Sequence, residues 1–99
     1  MPPVPVRVHR LAAQEFRKAR SRYAGSSRTT ALRFVQAENR VLEQVADDPE
    51  RWPLYDDRHR WVKVRKFPYL LICRSMSKDE LTVVAVAHTS RRPGYWRRR

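Results

Sequence analysis

The chain has one cysteine, two glycines and no long apolar run. Cys73 alone excludes an internal disulfide and a cysteine-based zinc set. Gly25 and Gly94 are too few to build a glycine-rich phosphate loop. No apolar stretch reaches the roughly 18 residues that a membrane-spanning helix requires. The opening MPPVPVRVH has neither the apolar centre nor the cleavage site of a secretory leader. A cytoplasmic location is therefore expected, with no membrane partner. His9, His59 and His88 are too scattered for a metal site, no acidic pair has ligand spacing, and no Ser/His/Asp order stands out. Neither a metal nor a cofactor is expected.

Positive charge is what the chain has in excess. Twenty-two Lys/Arg oppose ten Asp/Glu, a net +12 in 99 residues, which favours a polyanion or an acidic protein as partner. The charge is unevenly placed. Residues 41–57 carry six of the ten acids and one arginine, whereas residues 89–99 carry five arginines and no acid, so the basic surface should be a patch. The length predicts one domain, 1–99. A chain this small buries a modest share of its surface, which makes partner-assisted stability plausible.

Apolar spacing predicts an α+β fold. Val4, Val6 and Val8 alternate with Pro5, Arg7 and His9 as a short, half-buried edge strand. Ala12, Phe16, Ala19 and Tyr23 form one stripe of a helix over Leu11–Tyr23. AGSSRTT ends it, with Gly25 in a left-handed cap and Ser26 or Ser27 capping the next helix. That second helix is expected from about Thr29 to Ala46, burying Phe34, Val35, Val41, Leu42 and Val45, and Pro49 stops it. Two helices joined this way make an antiparallel hairpin. RWVKVRK, PYLLICRSM and LTVVAVAH then read as a three-strand antiparallel meander, with SKDE as the last turn. The order is β-α-α-β-β-β in one sheet. Leu70–Cys73 and Val83–Ala87 are apolar on both parities, the pattern of strands covered on both faces. The helices cover one face; the C-terminal Tyr95–Trp96 segment or a partner must cover the other.

The residues that could carry chemistry lie late in the chain. His88 ends the last strand, followed by Arg91, Arg92 and Tyr95: a proton shuttle, phosphate-binding guanidiniums and a base-stacking ring. The alternative for His88 is a strand-end histidine bonded to a loop carbonyl. Arg65 and Arg74 fall on neighbouring expected strands, where they either share an outward basic face or are simply solvated. Trp61, Tyr95 and Trp96 are candidate interface anchors; the alternatives are sheet packing for Trp61 and cover for the open face for Trp96. Trp52 and Tyr55 are read as pinning the helix-to-strand loop.

Two quoted stretches, DDPERWPLYDDRHRWVKVRKFPYLLICRS and VVAVAHTSRRPGYWRRR, together with the order of elements, closely resemble the RelE/ParE superfamily of type II toxin–antitoxin toxins. The resemblance spans essentially the whole chain. It implies a small toxin neutralised by a cognate acidic antitoxin, ParD-like or other, whose amphipathic segment wraps the helix hairpin and sheet in a hetero-oligomer. Two branches share the fold. RelE-like members cleave messenger RNA in the ribosomal A site without metal; on that branch Arg65, Arg74, His88 and Tyr95 would be the catalytic residues by position. ParE-like members, the plasmid-stabilisation branch, poison DNA gyrase and block replication. The ending HTSRRPGYW is similar to that of chromosomal ParE-like toxins, and no carboxylate base is evident near the four nuclease positions. The resemblance therefore favours gyrase inhibition, with Trp61, Arg65, Arg74, His88, Arg91, Arg92, Tyr95 and Trp96 as target-binding residues. A simple nucleic-acid-binding module would explain the charge but not the unfinished apolar face.

Overall fold

The structure, a computed structural model, describes residues 3–77 and 79–99. Strand β1 (Val6–Val8) leads through His9 into helix α1 (Arg10–Ser26), followed by α2 (Arg28–Asp47), β2 (Arg60–Lys63), β3 (Tyr69–Ser77) and β4 (Glu80–His88). The sheet order is β1-β4-β3-β2. The meander β2-β3-β4 is antiparallel, whereas β1 joins β4 in parallel, Val6 opposite Leu81 and Val8 opposite Val83. The sheet is therefore mixed. Parallel pairing is available to β1 because both helices and two strands separate it from β4, as a crossover requires.

The turn between the helices departs from the sequence expectation. Gly25 lies inside α1 rather than in a left-handed cap, and the reversal is made by one extended residue, Ser27. Its N–H continues α1 by donating to the Tyr23 carbonyl, while its Oγ accepts from the Thr30 N–H at 3.2 Å. One residue thus closes one helix and caps the next. The first meander strand is also shorter than its alternation implied. Val64 to Phe67 form the turn into β3, and Lys66 there adopts φ 70°. Arg65 is consequently a turn residue, not a strand residue. Lys78, within the expected SKDE turn, lies outside the described residues.

The helical hairpin packs one face of the sheet. Phe34 is fully buried at the centre of this layer, its ring 5.2–5.7 Å from those of Phe16, Tyr23, Phe67 and Tyr69. Ala12, Ala19, Val41, Val45, Val62, Val64, Leu71, Cys73, Leu81, Val83 and Val86 complete it. Val35 and Leu42 are only half-buried. A register shift between Ile72 and Cys73 places Ile72 opposite Ala85 but Cys73 opposite Val83. Val84 is the additional residue of this bulge, so Val83 and Val86 face the helices while Val84, Ala85 and Ala87 face away. This is how β4 comes to be apolar on both parities.

One polar residue interrupts the stripe of α2. Glu38 continues the spacing of Ala31, Phe34, Val41 and Val45, and it is 4% exposed with one carboxylate oxygen lacking a partner. Burial pushes its pKa from 4.5 up to about 7, and its charge helps burial push the Cys73 thiol up to about 12. Below pH 4.5 the Glu38 carboxyl is neutral in both folded and unfolded chains. Between 4.5 and about 7 the unfolded chain ionises first, so stability falls as pH rises; above that the loss is constant, roughly 3 kcal/mol. Glu38→Gln should flatten this window and exceed the parent in stability at pH 8 but not at pH 4. Urea unfolding at the two pH values measures it, and a parent protein equally stable at both would contradict the assignment.

Candidate functional site

Beyond β4 the chain turns back across the sheet face that the helices leave open. Gly94 makes the reversal at φ 79°, where a Cβ would also come within 2.5 Å of the Arg97 guanidinium. Trp96 then lands on Ile72, Val84, Ala85 and Ala87 and is 1% exposed. The rings of Tyr55 and His59 meet it edge-on at 4.8 and 4.6 Å. Their loop is held by Asp56, which accepts from the N–H groups of Arg58 and His59 at 2.8 Å each and bonds the His59 ring at 2.9 Å. Desolvation opposes ionisation of Asp56, but the Arg58 N–H and both His59 donors outweigh it and pull its pKa down to about 2.

The tail is also tied from the helix side by a residue that the sequence reading passed over. Glu15 of α1 accepts from the Val86 N–H at 3.1 Å, the Arg91 guanidinium at 3.0 Å, the Tyr95 hydroxyl, and the Arg99 guanidinium at 2.7 and 3.1 Å. Arg99 also donates to the Val84 carbonyl at 3.1 Å, and its own backbone oxygen accepts from Arg74 at 2.9 Å. Glu15 and Arg99 thus serve backbone groups of β4 beyond the reach of β1. Burial, followed by the bond to Glu15, raises the Tyr95 pKa well above its ordinary value. A carboxylate does therefore stand beside Tyr95, contrary to the sequence expectation. The only sequence signal for it was an acid in a helix otherwise rich in Arg and Lys.

The residues expected to act together are brought together only in part. Arg65 sits in the β2–β3 turn, at the end of the sheet where Tyr69 faces His88; Arg74 lies towards the other end of β3, opposite Thr82. They share no common face. The His88 ring packs edge-on against Tyr69 at 5.1 Å, and its Nδ1 is bonded to the N–H and Oγ of Ser90 at 3.0 and 2.7 Å. The bond thus goes to a loop N–H and hydroxyl rather than to a loop carbonyl. Trp61 is half-buried on the open face beside Ile72, and Trp52 packs against the helix-side core. Trp96, one of the expected target contacts, is enclosed in the core. Of the tail cations, Arg91 stacks over Tyr95 at 3.7 Å and Arg97 pairs with Asp56 at 3.3 Å. Arg92 and Arg98 are exposed with no ion pair among the described residues.

Two of the concave surfaces involve the helices. A slot of about 230 Å³ between hairpin and sheet is lined by Val8, Ala13, Phe16, Leu42, Val83 and Val86, with Glu38 and Arg17 as its charged members. A wider groove of about 1200 Å³ runs between α2 and the β2–β3 turn, with Arg33, Arg40, Lys63, Arg65 and Lys66 against one acid, Glu43.

Residues 6–93 match a family model described as the ParE toxin of the type II toxin–antitoxin system parDE. Among solved structures the fold is similar to a chromosomal ParDE TA system from P. aeruginosa, with a TM-score of 0.75 and 14% identity over 88% of this chain and 97% of that one. No curated protein matches in sequence.

The tail geometry makes two stability predictions. Trp96→Ala should cost about 3–5 kcal/mol, the usual loss for removing a buried indole. Glu15→Ala should cost a comparable amount because it strands Arg99, whose side chain is 13% exposed; Arg91→Ala, at 53% exposed, should cost under about 1 kcal/mol. Denaturant unfolding of the three variants checks this order. Equal, small losses would mean that the tail is not part of the folded core.

Proposed function

This chain belongs to the ParE toxin family of type II toxin–antitoxin systems, and from that membership we propose that it arrests growth by inhibiting DNA gyrase in the cytoplasm until a cognate antitoxin binds it. The observation that carries the choice of target is the engagement of Tyr95, Arg74 and His88 in bonds that hold the fold. A metal-free RNA cleavage site needs a base, an acid and cations around one phosphate. Here the Tyr95 hydroxyl donates a hydrogen bond to Glu15, which disfavours the tyrosinate a base would require. One terminal nitrogen of Arg74 donates to the Arg99 backbone oxygen. The His88 Nδ1 is taken up by Ser90, and Arg65 belongs to a separate surface. Such an arrangement suits a protein that acts by binding. Ribosome-dependent messenger RNA cleavage is the alternative that the gyrase reading must exclude.

The antitoxin is proposed to be acidic and amphipathic. The slot between hairpin and sheet supports this reading: it is apolar, and Val8 at its rim is 48% exposed. Arg10, Arg17, Lys18, Arg20 and Arg22 line exposed positions of the adjacent helix. An antitoxin segment would order on binding there, its apolar side in the slot and its acids towards α1. For the target, the available residues are His88, Arg91 and Arg92 at the rim of the tail, with Trp61 half-exposed beside it. Tyr95 and Trp96 then act indirectly, by holding that rim in place.

Purified toxin should abolish supercoiling by gyrase or trap cleaved plasmid, and Arg92→Ala should weaken inhibition with no change in thermal unfolding. Intact supercoiling together with codon-positioned cuts in ribosome-bound messenger RNA would overturn the gyrase reading. Expression without the neighbouring antitoxin gene should stop growth; normal colonies at high soluble expression would count against toxicity itself.

A further inference from the structure

Four cations that the fold leaves without ion pairs line the wide groove, whereas most of the arginine tail is paired. Arg33 and Arg40 of α2, and Arg65 and Lys66 of the β2–β3 turn, are all exposed, and none is ion-paired among the described residues. By contrast, Arg91, Arg97 and Arg99 are neutralised by Glu15 and Asp56. The turn is also held in an uncommon shape. Lys66 occupies the left-handed region at φ 70°, and the Lys63 ammonium donates to the carbonyls of Val64 and Phe67, bridging the turn. A non-glycine residue in that region is sterically disfavoured, and here the conformation sets two cations opposite α2.

We propose that this groove binds the phosphate backbone of duplex DNA, with Arg33 and Arg40 on one wall and Arg65 and Lys66 on the other. Three features select the ligand. The two α2 arginines are seven residues apart, about 10 Å along the helix axis, so a ligand meeting both must carry repeated charge. The groove also presents the side chains of Gln36, Asn39 and Gln44, neutral groups suited to phosphate and sugar oxygens. Its only aromatic ring is the half-buried Phe67. Single-strand binders rely on rings against which successive bases stack, and this groove has no such platform. An amphipathic peptide finds a more enclosed apolar seat in the slot between hairpin and sheet, whereas this groove carries five cations on its walls. The proposal concerns the isolated toxin and DNA and does not depend on gyrase being the target.

The test is fluorescence anisotropy of a labelled 20-base-pair duplex with purified toxin across a salt series. Four phosphate contacts predict a slope of log K against log salt of about −3.6. The double variant Arg40→Ala/Lys66→Ala should lower that slope in magnitude by about two and weaken binding at low salt. Arg58→Ala/Arg98→Ala, two exposed residues that do not line the groove, should leave slope and affinity nearly unchanged; circular dichroism verifies that both variants fold. An equal loss from the two pairs would reduce the effect to net charge and overturn the proposal. So would the absence of binding at 50 mM salt, tighter binding of a single strand of the same length, or binding of poly-glutamate in place of duplex at this groove.

Discussion

A sheet with two apolar faces and a helical layer for only one of them is the constraint on which the rest of this structure depends. The bulge at Val84 turns Val84, Ala85 and Ala87 towards the side opposite the helices, where Ile72 joins them. Left open, that patch would invite association or misfolding. Trp96 closes it, and every unusual feature of the C-terminal segment follows from placing one indole there. Gly94 permits the reversal, Asp56 shapes the loop that presents Tyr55 and His59, and Glu15 holds the strand of tail on either side.

The same arrangement redistributes the charge. Eleven terminal residues with five arginines look in one dimension like an unbroken cationic arm. In three dimensions one glutamate from α1 gathers two of those arginines, and one aspartate from the 52–59 loop gathers a third. The acids concerned lie 76 to 84 and 41 residues away in sequence. What remains strongly cationic is the helical hairpin and the turn between β2 and β3. The surface available to a polyanion has therefore moved from the end of the chain to its middle.

The family fold sets a scaffold on which binding surfaces and catalytic surfaces are both possible. Here the groups with potential chemistry are engaged structurally. Tyr95 is a donor to Glu15, Arg74 holds a backbone oxygen, and the His88 Nδ1 is bonded within its own turn. Each of these bonds serves the folded state. The rim cation Arg92 and the concave surfaces of the helix side remain exposed.

The helices, the meander and the need for a second cover over the sheet were legible in the sequence because they are local: apolar spacing of three and four, alternation of two, and an apolar run on both parities. The quoted motifs carried the family for the same reason, as contiguous strings. Gly25 misled because one extended serine can reverse a chain without a left-handed residue. Arg65 misled because Val62 and Val64 keep alternating for one residue beyond the strand. Trp96 took the second of its two readings, cover for the open face, while two outcomes were beyond any one-dimensional reading: Glu15 neutralises the tail, and Arg65 and Arg74 part company. Each is set by distances between residues tens of positions apart, and those distances exist only once the sheet has twisted and the helices have docked.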